Sequence, residues 1–283
     1  MIQKWMDSYR PRNVRESEQV LREIMKEIAL AGLYRGGFFK HAAFYGGTAL
    51  RIFHGLDRFS EDLDFSLLEK NPDFAFETCF ESVIREFESL GIRVSLQRQS
   101  KSAVTRIDSA FLKSDTTWGE LVFEDTIPQI QLSLKPNIKI KLEIDTDPPT
   151  GFQTENRLLT KPFSFHVNCF TLPDLFARKL HALLYRKWKD RVKGRDWYDL
   201  EWYIRNGIEV SSAHFCERSR ASGHWTEPTI HRDQLLELLR EKIDSVNFTR
   251  VREDIIRFIP DSSVVQIWSP SYFRELIRTL KVV

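Results

Sequence analysis

The sequence predicts an α+β protein, with a mixed-sheet lobe over residues 1–170 followed by a mainly helical lobe over residues 171–283. Three observations carry this expectation. Up to Gly91, helical periods alternate with short apolar runs. From Ile92 to about Val167 the apolar residues recur with period two, as strands require. After Cys169 the helical period returns and persists.

Taken in order, residues 13–34 carry an apolar stripe of Val20, Leu21, Ile24, Met25 and Ile28 with charges between, and Gly36-Gly37 stops that helix. The apolar run Ala42–Tyr45 leads into Gly46-Gly47, and Thr48 to His54 reads as a brief helix. Leu63 to Leu67 alternates like a strand, and Pro72 to Leu90 reads as an amphipathic helix closed by Gly91. Ile138 to Asp145 is the clearest of the later strands. Thr171 is placed to cap a helix with Pro173 in its first turn and Asp174 three residues on. A second helix covers about Arg195 to Asn206, stopped by Gly207, and the remainder is helical with loops near Gly223 and Pro260.

Composition excludes several classes. Of the 283 residues 42% are hydrophobic, enough for one large or two modest cores. Lys and Arg number 42 against 40 Asp and Glu, a net charge of +2, so any nucleic-acid surface must come from local clustering. Cys79, Cys169 and Cys216 are scattered and form no CxxC pair, which argues against a disulfide framework or a cysteine zinc site. The N-terminal stretch lacks the apolar core of a secretory signal, and no apolar run approaches the ~20 residues of a membrane helix. A cytoplasmic protein without membrane contact is expected.

The most informative stretch is Gly46-Gly47-Thr48-Ala49-Leu50 followed by Arg58-Phe59-Ser60-Glu61-Asp62-Leu63-Asp64-Phe65. Two glycines let the backbone approach a phosphate, and a helix starting at Thr48 adds its positive end. Asp62 and Asp64 alternate along a strand and so share a face. Carboxylates held that close call for a cation, and Mg²⁺ takes oxygen ligands while keeping contact with substrate phosphates. Lys139, Lys141, Glu143 and Asp145 share the polar face of a later strand, where Glu143 or Asp145 is placed to complete the site. Lys179 replaces an expected leucine in the stripe Leu172, Leu175, Phe176, Leu180 and Leu183, and an inward lysine needs an anionic partner. Asp196, Asp199 and Tyr203 fall on one face of the following helix and are candidates to meet it.

These blocks resemble the AbiEii/AbiGii toxin group of nucleotidyltransferases, in the polymerase-β-like superfamily. The resemblance rests on GGTAL, on RFSEDLDF, and on Arg178-Lys179-Leu180-His181-Ala182-Leu183 followed by Arg195-Asp196-Trp197-Tyr198-Asp199-Leu200; it spans residues 46 to 200. It implies a polymerase-β-like lobe followed by a helical one, and a toxin of a toxin–antitoxin or phage-defence system. By the matching positions Asp62 and Asp64 take the metal-ligand role, and Gly46, Gly47 and Ser60 the nucleotide-phosphate role. Lys179 and Asp196 take the remaining catalytic roles. The implied reaction is Mg²⁺- or Mn²⁺-dependent transfer of a nucleotide from an NTP to RNA, at the tRNA 3′ end, which blocks translation. The implied partner is an antitoxin from a neighbouring gene. The match leaves the choice between Glu143 and Asp145 open.

The basic run Arg186, Lys187, Lys189, Arg191, Lys193 and Arg195, interleaved with Trp188 and Trp197, is a candidate RNA surface: cations neutralise phosphates and aromatics stack on bases. Three rivals stand beside this reading. One is a nucleotidyltransferase acting on a small molecule or a protein side chain, and another is a noncatalytic RNA-binding protein. The third is a nuclease built on Arg218 and His224, opposed by the loop character of Ser219 to Gly223. Alanine at Asp64 or at Lys179 is expected to abolish transfer with unfolding nearly unchanged.

Overall fold

A computed structural model of the chain describes residues 2–75, 77–98, 116–123, 139–149, 151–186 and 192–283. The elements are α1 (Ile2–Tyr9), α2 (Val14–Arg35), β1 (Ala42–Tyr45), α3 (Gly46–His54), β2 (Leu63–Leu67), α4 (Glu77–Ser89), β3 (Val94–Arg98), β4 (Thr116–Phe123), β5 (Lys139–Asp145), β6 (Thr154–Leu159) and β7 (Phe165–Phe170). There follow α5 (Leu172–Tyr185), α6 (Gly194–Arg205), β8 (Glu209–Val210), α7 (Ser212–Ala221), α8 (Arg232–Asp244), α9 (Phe248–Ile255), α10 (Pro270–Leu276) and β9 (Lys281–Val282). The fold is α+β. Its contacts divide into two units. The first comprises the described residues of Met1–Ala49, Glu61–Pro148 and Glu155–Cys169, and the second those of Leu50–Ser60, Pro149–Thr154 and Phe170–Val283.

The first unit is organised by a mixed sheet in the order β3-β4-β5-β2-β1-β7-β6. β1 and β2 run antiparallel, β2 and β5 parallel, and β1 and β7 parallel. Alternation holds along the inner strands: Leu63, Phe65, Ile140, Leu142 and Ile144 are fully buried, while Asp64, Lys141, Glu143 and Asp145 are half-buried on the other face. α2 begins where the Asn13 side chain accepts the Glu16 amide at 2.9 Å, satisfying one of the donors that a helix start leaves unpaired. It packs on α4 at Gly32, where a Cβ would fall 2.5 Å from Val83 Cα, so only a glycine admits this approach. α4 starts at Glu77, five residues after the expected Pro72, because 72–73 form a turn.

The stripe on α2 is wider than its apolar residues: Glu23, Lys26 and Glu27 are buried as well. Glu27 accepts the Tyr9 hydroxyl of α1 at 2.8 Å. Burial lifts its pKa from 4.5 to about 7, Glu23 adds to the rise, and the Tyr9 bond and Lys161 oppose it. A carboxyl whose pKa is raised on folding contributes fully below its unfolded value and loses that contribution as pH rises through the folded one. Stability should therefore decline from about pH 4.5 to 7 on account of this group. Glu27→Gln, which keeps an acceptor for Tyr9, is expected to raise the unfolding free energy at pH 8 by about 1–3 kcal/mol. Denaturant titrations of the two proteins at pH 5 and pH 8 measure this.

The second unit is helical, apart from the short parallel pair β8–β9, which two-residue strands leave no periodicity to announce. Its core stacks Phe176 of α5 on Tyr203 of α6 with centroids 4.3 Å apart. It also sets Trp197 against Phe248 and Phe273 at 4.9 and 5.0 Å. Thr171 stands at the N-cap of α5, but its hydroxyl bonds Asp174 at 2.8 Å, and Asp174 accepts the Gln153 amide at 2.7 Å. No described helix is long and apolar enough to cross a membrane.

Candidate active site

β1 runs into Gly46, and its antiparallel register with β2 sets Phe44 against Phe65 and Tyr45 against Asp64. The chain leaves β1 beside the second aspartate and enters α3 at once, so this helix begins two residues before the expected Thr48. Gly46 has φ +85°, and a Cβ there would lie 3.1 Å from Asp64 Cγ and overlap its Oδ2. Both the left-handed backbone and the closeness of the carboxylate demand glycine. Gly46→Ala should cost about 1–3 kcal/mol of stability and push Asp64 out of position. Thermal unfolding and transfer activity report the two effects separately, and an alanine variant equal to wild type in both would show the turn to be tolerant.

Thr48, fully buried, donates its hydroxyl to the main-chain carbonyl of Asp62. The first turn of α3 is thereby tied to the segment that carries both aspartates. In the parallel neighbour β5, Leu142 aligns with Leu63, Glu143 with Asp64, and Asp145 with Ser66. The register thus sets Glu143 beside Asp64, whereas Asp145 sits one pleat further along beside a fully buried serine. Of the two candidates for a third carboxylate, Glu143 has the position.

Lys141, on the same face of β5, is ion-paired with Glu143. Burial pulls the pKa of its ammonium down, but the bond and charge of Glu143, then the charges of Asp62 and Asp64, outweigh that and hold it above the ordinary lysine value. The face therefore concentrates negative charge on oxygen donors that suit a hard divalent cation. Among the described residues no group of three metal-ligating side chains gathers closely enough to hold an ion unaided.

The second unit holds a different arrangement. Lys179 of α5 places its ammonium 2.8 Å from Asp196 and 2.8 Å from Asp199, both on α6. Arg58, 1% exposed, grips Asp199 with two 2.6 Å bonds, Nε to Oδ1 and Nη2 to Oδ2. Burial raises the pKa of Asp196, but Lys179, then Arg186, bring it down to about 2. Asp199 is also held low, with burial opposed by Arg58 and Lys179. For Lys179 burial is outweighed by Asp196 and Asp199, so its pKa is raised and it is charged. Nearby Tyr198 donates to Asp57 at 2.6 Å.

The expected pairing of Lys179 with aspartates of the next helix is thus present, while Tyr203 belongs to the stacked core. Nothing local to Arg58 in the sequence announces that its partner lies 141 residues away. Ser60 is buried and Gly47 lies in α3. Of the basic run, Arg186 is exposed, Lys193 is lowered to about 8 by burial and then by Arg186, and Arg195 lies 4.2 Å over the Phe258 ring. Lys187, Lys189 and Arg191, with Trp188, fall outside the described residues. Trp197 is core and not a stacking surface, because its position on α6 faces Phe248 and Phe273. Ser219–Ala221 is helical rather than loop, as α7 extends to Ala221. Past its end His181 Nε2 and His224 Nδ1 both lie 2.9 Å from Ser222 Oγ.

Asp64 and Glu143 thus stand side by side on two parallel strands, next to a helix that starts on glycine. The family model of the nucleotidyl transferase AbiEii toxin, type IV toxin–antitoxin system, matches residues 28–277, and the chain belongs to that family. Membership makes it a toxin nucleotidyltransferase and implies an NTP substrate and an antitoxin. Among solved structures, MenT4, a nucleotidyltransferase toxin from Mycobacterium tuberculosis, is 15% identical, covers 94% of this chain and 85% of its own, and superposes with a TM-score of 0.50, a likeness of fold. A provisionally assigned nucleotidyltransferase from Helicobacter pylori is 17% identical over 90% of this chain and 91% of its own, with a TM-score of 0.48. JHP933 of Helicobacter pylori is 16% identical over 89% and 90%, with a TM-score of 0.45. No curated protein matches the chain.

Proposed function

We propose that the protein transfers a nucleoside monophosphate from an NTP to an RNA acceptor, the tRNA 3′ end, and so blocks translation in the cytoplasm. The observation that carries the nucleotide chemistry is the register of Asp64 with Glu143, with the Gly46 turn pressed against Asp64. On this reading the backbone amides at Gly46 and Gly47 and the first turn of α3 at Thr48 bind the triphosphate, using the donors and positive end of a helix start. Asp62, Asp64 and Glu143 hold Mg²⁺, or Mn²⁺. When bound, the cation supplies charge neutralisation at the reacting phosphate and lowers the pKa of an attacking hydroxyl. Asp64, fixed by strand pairing on both sides, orients the reacting groups, and the buried Leu63 and Phe65 keep its strand from shifting. An ammonium has three donors; within the second unit Asp196 and Asp199 take two from Lys179, and on this reading the third is left for an anionic group of the substrate. Asp196 is a positioning residue that keeps Lys179 charged and directed.

The RNA acceptor is supported by the basic run that follows α5, of which Arg186 is exposed and Lys193 and Arg195 half-buried among the described residues. The test is incubation with each of four labelled NTPs, Mg²⁺ and purified tRNA. One labelled nucleotide should appear on tRNA and not on protein or small metabolites. Label found only on protein or on a small molecule would move the acceptor to that class. No label with any acceptor would remove the transfer reading for this chain.

A further inference from the structure

The acidic face already contains a cation of its own. Lys141 follows the alternation of β5 onto the side occupied by Glu143 and Asp145, two residues before Glu143, and is ion-paired with it. Glu143 is in turn the cross-strand neighbour of Asp64. Lysine and glutamate are both partly sheltered, at 38% and 32% side-chain exposure, so the pair is screened less than one in open water. Asp62, Asp64, Glu143 and Lys141 together carry three negative charges and one positive, leaving a balance that one divalent cation neutralises.

We infer that Lys141 is the resident counter-ion of the acidic face: its ammonium competes with the divalent cation for Glu143, so the free enzyme binds metal weakly and loads fully only when the triphosphate brings further anionic oxygens. This rests on the metal-site reading given above. A lysine with a purely structural role would have no such effect: its removal would leave metal affinity unchanged.

The experiment is Mn²⁺ titration of the full chain without nucleotide, following the loss of the free-ion electron paramagnetic resonance signal. It compares wild type, Lys141→Gln, Lys141→Arg and Asp64→Asn. Lys141→Gln should bind Mn²⁺ on the order of tenfold more tightly, since a unit charge a few ångströms away is removed. Lys141→Arg should bind as wild type does. Adding a nonhydrolysable NTP analogue should bring wild type and Lys141→Gln together. If Asp64→Asn abolishes binding while Lys141→Gln leaves it unchanged or weaker, the counter-ion role is overturned and the metal site stands. If all four proteins bind equally or none binds, the metal-site reading itself fails.

Discussion

Asp64→Asn is expected to lower nucleotide transfer by on the order of a thousandfold or more while leaving Tm within a few degrees of wild type. The loss in rate follows from the position of the residue. Asp64 touches the Gly46 turn and pairs in register with Tyr45 on one side and with Glu143 on the other. Asparagine preserves shape and removes the charge that would hold a divalent cation. Stability should barely change because Asp64 is only half-buried, and because its replacement relieves repulsion with Asp62 and Glu143. Single-turnover transfer with labelled NTP, together with calorimetry, measures both quantities. A variant retaining even a tenth of the rate would take Asp64 out of the mechanism.

Asp199→Ala is expected to act on stability instead, lowering it by about 3–5 kcal/mol, roughly 10 °C in Tm. Arg58, Lys179, Asp196 and Asp199 form a neutral set of two cations and two anions, with Asp199 fully buried between both cations. Its removal leaves the Arg58 guanidinium inside the protein without its bidentate partner, which is the costly way to break a buried pair. The same logic revises the expectation for Lys179. Alanine there strands Asp196 and part of Asp199, so Lys179→Ala should destabilise as well as inactivate. Acid adds a signature. A carboxylate whose pKa is depressed on folding contributes above its unfolded value and loses that contribution as pH falls through the folded one. Asp196, at about 2, and Asp199, also lowered, should therefore weaken the fold between about pH 4 and 2. Part of that acid limb should vanish in Asp199→Ala. Equal Tm values for wild type and variant at pH 7 would mean that the network contributes nothing net.

Much of the frame was legible before any coordinates. β2 covers Leu63–Leu67 as alternation predicts, and β5 buries every second residue of Lys139–Asp145. α2 and α6 fall within a residue or so of their expected ends, because caps, glycine stops and apolar stripes act within a few residues of sequence. The Asp62–Asp64 pair and the inward Lys179 were visible for the same reason: each is a departure from a local pattern. The faults also have a physical origin. Trp197 and Tyr203 look available on a helical wheel, but which faces of α6 meet α5, α9 and α10 depends on packing. α1 lacks the length to announce itself, and α7 runs through residues whose composition suggests a loop.

The sequence by itself determined which residues of β2 and β5 alternate and where the main helices start and stop, since these follow from backbone periods of two and 3.6 residues, while Asp62 falls just before β2 rather than on it. Tertiary structure alone decided the partners. Strand register set Glu143 beside Asp64 and Asp145 beside Ser66, and Lys141 is ion-paired with Glu143. Chain topology carried Arg58 to an aspartate 141 residues away. Such pairings depend on register and on the closure of long loops, to which no local pattern of side chains is sensitive.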